Sequence, residues 1–173
     1  VAIVEDICTG GKVHFMKTSK ILVASAVAVL FTGAANAQSF TYDVIWQKPD
    51  FVGGMTGPNG DTVGGAGIVS GTYTTTYDNG STEKGSVRCI GQDQPDNALF
   101  DLHFSCSTDD PSGKASFIYG CNYLGKPGPE TPLGCVGGIE GKTGDAKGRR
   151  GGLTMEWYSD TQARGTGEWW GGK

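Results

Sequence analysis

IVSGTYTTTYDNGSTEKGSVRCI, residues 68–90, decides the fold class. Residues 68–77 are rich in Thr, Tyr and Val, whose side chains fit a pleated, half-buried surface. Asp78-Asn79-Gly80-Ser81 follows. Asn-Gly between two strand-like runs predicts a tight hairpin in which both turn residues take positive φ. Residues 82–90 then form the return strand.

Working outward, the same period of two recurs. Residues 40–46 put Phe40, Tyr42, Val44 and Trp46 on one face. Residues 53–67 read as a glycine-rich loop. Residues 98–107 place Leu102, Phe104 and Cys106 on one side and Asp101, His103 and Ser105 on the other. Residues 114–124 align Phe117, Tyr119, Cys121 and Tyr123. The Gly- and Pro-rich run 125–132 is a loop, 135–139 a short strand, and 141–152 a second glycine-rich stretch. Residues 153–159 align Leu153, Met155 and Trp157, and 166–170 close the chain. No stretch from residue 38 onward carries a helical period. About eight regularly spaced strands predict an all-β domain, an antiparallel barrel before a sandwich. Glycines inside strands supply the bends that a small closed sheet needs, and closure removes exposed edges.

The segment before the first strand reads as an address. Lys17 and Lys20 precede an unbroken apolar and small-residue run, 21–31, and Ala35-Asn36-Ala37 has the small–x–small form of a cleavage site. The apolar run is shorter than the roughly 20 residues of a membrane span. Residues 16–37 are therefore expected to be an export signal. Residues 1–15 read as upstream sequence ahead of a start at Met16, and residues 38–173 as a single exported domain, periplasmic or secreted, with no membrane attachment after cleavage.

Removing Lys12, Lys17 and Lys20 together with Glu5 and Asp6 takes the formal charge from −4 to −5. A nucleic-acid partner calls for a basic patch, and the one basic cluster, Lys142, Lys147, Arg149 and Arg150, reads as a solvated loop. Without Cys8, four cysteines remain: Cys89, Cys106, Cys121 and Cys135. An even count in an exported chain predicts two disulfides. The pairing Cys89–Cys106 with Cys121–Cys135 is favoured, each closing a neighbouring strand pair. Cys106–Cys121 with Cys89–Cys135 stands as the alternative. With no CxxC pair and one histidine beyond residue 37, no metal site is expected.

Gly134-Cys135-Val136-Gly137-Gly138-Ile139-Glu140-Gly141 and Gly165-Thr166-Gly167-Glu168-Trp169 carry a resemblance. A Cys-bearing strand runs into a Gly-Gly turn, then a glycine-rich stretch, then a strand ending in Gly-x-Trp. Over residues 134–173 the chain resembles small exported bacterial proteins with a calycin-like, allene-oxide-cyclase-like β-barrel. The resemblance implies a calycin-like barrel. It also brings in the plant enzymes of that fold, cyclases that mainly shape an apolar substrate. It carries no catalytic residue over to this chain.

Residues with chemistry are few. His103 is the one histidine of the domain, and general acid–base work needs a positioned group with a tuned pKa. Asp101 and Ser105 lie on its face but nearly 7 Å along the strand, too far for direct contact. His103 and Glu156 are the catalytic candidates, with Glu168 a further carboxylate among aromatic neighbours. No Gly-x-Ser-x-Gly elbow, P-loop or His-Glu-x-x-His occurs. Asn59-Gly60-Asp61 lacks the later Glu of a calcium loop, and no cofactor is implied. The aromatic faces say more: Tyr42, Trp46, Tyr73, Tyr119 and Trp157 are expected to point inward and to contact a ligand, because an eight-stranded barrel can hold one small molecule. The expectation is an exported barrel that binds a small apolar or aromatic molecule. A cyclase or isomerase of the allene-oxide-cyclase type is the second reading. A solid-core structural or protein-interaction module is the third.

Overall fold

The computed structural model describes residues 37–56, 62–127 and 130–171. The readings of residues 1–15, of the export signal up to residue 36 and of Asn59-Gly60-Asp61 lie outside the described residues. Nine strands follow one another: β1 (Gln38–Trp46), β2 (Asp50–Thr56), β3 (Thr62–Tyr77), β4 (Thr82–Asp93), β5 (Leu102–Asp110), β6 (Gly113–Tyr123), β7 (Leu133–Gly141), β8 (Arg150–Ser159) and β9 (Gln162–Trp170), with a short 3-10 turn, Gly144–Ala146, between β7 and β8. Among the described residues no helix is long and apolar enough to cross a membrane.

All neighbouring strands pair antiparallel. The order β1-β9-β8-β7-β6-β5-β4-β3 returns to β1 through the β1–β3 pairing, so eight strands close a barrel. Such a closed antiparallel barrel of eight strands is consistent with a calycin-like fold. The alternation read from the sequence decides which side faces in: Phe40, Tyr42, Val44 and Trp46 of β1 are buried while Thr41, Asp43 and Ile45 are exposed. The core is one cluster of inward side chains drawn from every barrel strand. Burial at about 25 cal/mol per Å² of apolar surface makes that cluster the main stabilising term.

Three expectations are corrected. Of residues 53–67, the described ones, 53–56 and 62–67, are strand and not loop. A ladder needs only backbone N–H and C=O groups, so the poor side-chain content of this stretch did not prevent pairing. β3 is long: its second half bonds β1, from Gly71 to Tyr77, while its first half bonds β2, from Thr62 to Ile68. β2 thus lies outside the closed sheet, and Gly54 and Gly64, both at positive φ, interrupt its ladder. The Asn79-Gly80 hairpin also differs in detail. Gly80 N–H donates to Tyr77 O at 2.9 Å and Tyr77 N–H to Ser81 O at 2.9 Å, and only Gly80 takes positive φ (82°). This is a three-residue loop with glycine at the left-handed position, a common hairpin closure, and the Asn79 carboxamide caps it by accepting from Ser81 N–H at 2.9 Å. Lastly, β5 begins at Leu102, not at residue 98, and runs on to Asp110, while β8 starts early at Arg150 and β9 at Gln162.

Both disulfides take the favoured pairing. Cys89–Cys106 and Cys121–Cys135 join residues directly opposite each other on β4/β5 and β6/β7, and all four cysteines are buried inside the barrel. Bonds of this kind persist in oxidising compartments.

The strand glycines do more than bend the sheet. Six inward rings each sit directly opposite a glycine on the adjacent strand: Phe40 and Gly167, Tyr42 and Gly165, Trp46 and Gly71, Tyr73 and Gly85, Phe104 and Gly91, Tyr119 and Gly137. A Cβ on any of these glycines would collide with its ring or with backbone beside it. For Tyr42 and Tyr73 the hydroxyl thereby reaches past the glycine strand to the strand beyond, β8 and β5.

Candidate functional site

The inward side chains leave a cavity of about 90 Å³ within the barrel. Its wall is rich in rings, with Phe40, Tyr42, Trp46, Phe117, Tyr119 and Trp169 along its length. It runs toward the end of the barrel that carries the β3–β4 and β5–β6 turns, where Glu83, Asp110, Ser112 and the exposed Lys114 form its rim. At the opposite end Trp157 stacks on Trp46, ring centroids 4.8 Å apart, and Phe104 leans against Trp157 at 5.8 Å.

Polar groups in this lumen are organised by the ring-over-glycine arrangement. Tyr42 reaches across Gly165 of β9 to donate to Thr154 O of β8 at 2.6 Å. Its single proton is thereby used, so the 2.5 Å contact with Tyr119 is a bond that Tyr119 donates. Burial holds both phenols above their ordinary value of 10; the Tyr119 bond partly offsets this for Tyr42, and the neighbouring Tyr42 adds to it for Tyr119. Tyr73 crosses Gly85 of β4 and donates to Asp110 on β5. Tyr77 donates to Glu83 Oε2 at 2.6 Å. These two phenols are likewise raised, first by burial and then by the carboxylate each one faces. All four tyrosines are therefore protonated at neutral pH and act as donors.

The two carboxylates differ. Asp110 Oδ1 accepts from Ser112 N–H at 2.8 Å, Ser112 Oγ–H at 2.6 Å and Gly113 N–H at 3.0 Å, while Oδ2 accepts from Tyr73. It pins the β5–β6 turn and has little capacity left. Glu83 Oε1 has no hydrogen bond among the described residues. Neither forms an ion pair among the described residues, where Lys114 pairs with Asp109, Lys142 with Glu140 and Arg164 with Glu156. Arg149 lies at the same barrel end, its guanidinium 5.3 Å from the Trp169 ring centroid and its Nη1 donating to Gln38 Oε1 at 3.1 Å. Among the described residues two buried side-chain donors lack an acceptor, Trp46 Nε1 and Arg149 Nε. Trp46 is 4% exposed and borders the cavity.

Of the residues read from the sequence, the structure brings Tyr42, Trp46, Tyr73 and Tyr119 together around the cavity, while Trp157 stands behind Trp46 as an end plug. His103 is placed on the outer wall, exposed, with its ring 5.5 Å from Phe100. Glu156 also faces outward and accepts from Arg164 Nε and Nη2 at 3.0 and 2.8 Å. Glu168 is exposed. The outward positions follow from the strand period itself, since each of these residues alternates with less exposed, inward-facing neighbours. Sequence reading missed Glu83 and Asp110. Both were in phase with buried residues, Glu83 with Val87 and Cys89, and Asp110 with Cys106, but a charged residue reads by default as solvent-facing.

No family model, curated protein or solved structure matches this chain.

Proposed function

We propose that this protein is an exported β-barrel that binds a small, largely apolar or aromatic molecule in its lumen. The observation that carries the reading is the aromatic-walled cavity, bordered by a buried indole N–H with no acceptor. A buried donor left unpaired costs about 1–3 kcal/mol, so the cavity favours an occupant that brings an acceptor, whether a ligand or ordered water. At about 90 Å³ the space is smaller than the roughly 150 Å³ cavity known to take benzene, so the part of the ligand held inside is compact. Export agrees with two disulfides and with the lysine–apolar–Ala-x-Ala order of residues 16–37.

Titrating the full chain with aromatic, lipid-like and sugar compounds while following Trp fluorescence tests the reading. Saturable change with a compact apolar or aromatic compound is expected. Ala115→Leu, which fills the lumen from β6, is expected to abolish it while leaving the chain folded. A flat response across the panel would remove the ligand-binding reading.

A cyclase or isomerase of the allene-oxide-cyclase type is the second reading. One arrangement favours it: Glu83 and Asp110 border the cavity with phenols in hydrogen-bond reach. Turnover of a bound compound separates it from simple binding.

A further inference from the structure

We propose that the ligand is a small organic ammonium ion, its charged head against Glu83 at the rim and its apolar body in the aromatic lumen. This rests on the ligand-binding reading above and adds the charge of the ligand.

Three observations point the same way. The formal charges on the cavity wall are Glu83, Asp110 and Lys114, and Lys114 is turned to Asp109 at 2.6 Å. The lumen therefore presents two carboxylates with no ion pair among the described residues. Asp110 is saturated by four donors, which leaves Glu83 Oε1 as the open acceptor. An ammonium supplies three donors and no acceptor, matching that vacancy. The same cavity wall carries the rings of Phe40, Tyr73, Tyr77 and Trp169, whose faces attract cations. The protein's own Arg149 already uses one of them, lying over Trp169. Arg149 is bonded to Gln38, is not part of the cavity wall and forms no ion pair with Glu83 among the described residues.

Three molecules of matched size test this with the full chain: n-butylammonium, n-butanol and butyrate, titrated at pH 7 and followed by calorimetry or by NMR shifts. Butylammonium is expected to bind about tenfold more tightly than butanol, the scale of one charge-assisted hydrogen bond. Glu83→Gln keeps an acceptor for Tyr77 and is expected to bring the two within about twofold of each other. Added salt is expected to weaken the ammonium and leave the alcohol unchanged. Butanol binding as tightly as butylammonium would overturn the charge assignment and leave the apolar pocket standing. Butyrate binding best would overturn it in favour of the Arg149 side of the rim. No binding by any of the three would overturn the charge assignment and the pocket together.

Discussion

At the scale of single residues, the design of this lumen is an exchange of volume between neighbouring strands. A tyrosine can lie across a strand only where that strand has no Cβ beneath it. Gly165 is the clearest case, because an added Cβ would meet both Thr154 O and the Tyr42 ring. Gly165→Ala is expected to displace Tyr42, break its bonds to Thr154 and Tyr119 and cost about 3 kcal/mol, combining overpacking with a lost buried hydrogen bond. Gly138→Ala is the control: the only neighbour there is Gly151 O at 3.8 Å, so a change within about 0.5 kcal/mol is expected. Urea denaturation of the two variants measures both. Equal effects would show that the glycines act through backbone flexibility and not through the space they leave. At this scale the sequence was partly legible. The inward phase of Tyr42, Trp46, Tyr73 and Tyr119 could be read from alternation, and so could the phase of Glu83. The partnership of each ring with a glycine could not, because it depends on register between strands far apart in the chain. The cavity is a residual volume summed over eight strands and is likewise invisible to local pattern.

At the scale of elements, the strands with alternating apolar residues were legible, and the favoured cysteine pairing followed from adjacency of the strands that carry them. β2 was not, since Asp50–Thr56 is exposed throughout and offers no alternation. It shows how weakly side chains govern a strand held by backbone bonds alone. The disulfides belong to the same scale, because each ties one strand to its hairpin neighbour, with separations of 17 and 14 residues. Replacing Cys121 and Cys135 together by Ala is expected to lower stability by about 3 kcal/mol, as loop-closure entropy returns to the unfolded chain. The urea midpoint under non-reducing conditions checks this. An unchanged midpoint would mean that the paired ladder of β6 and β7 already confines the unfolded chain as much as the bond does.

At the scale of the whole molecule, the buried phenols couple stability to pH. Tyr42, Tyr73, Tyr77, Tyr119 and Tyr123 are all raised above the ordinary value of 10, with burial the largest cause in each. Below about pH 10 these groups are protonated in both the folded and the unfolded chain, and their contribution is fully present. Above it the unfolded chain releases protons that the folded barrel retains. The folded state then binds more protons, and stability falls as pH rises. Urea midpoints at pH 9, 10.5 and 11.5 are expected to decline steeply, with most phenolate absorbance appearing only on unfolding. Ordinary titration near pH 10 in the folded protein would contradict the burial of these hydroxyls.

The seat of β1 between β3 and β9 also sets an order of assembly. β1 meets β3 after a short excursion through β2, but its other edge waits for Gln162–Trp170, the last strand of the described chain. Pairing Gln38 with Trp169 closes nearly the longest loop available, the most costly in chain entropy, and topologies ruled by such distant contacts fold in milliseconds to seconds. Until that moment β1 and β8 stand as bare edges, templates for other chains, and the lumen is a trough open along its side. β9 is thus the closing stave: the strand whose glycines make room for Phe40 and Tyr42 is also the one whose arrival separates a growing chain at risk of aggregation from a sealed vessel.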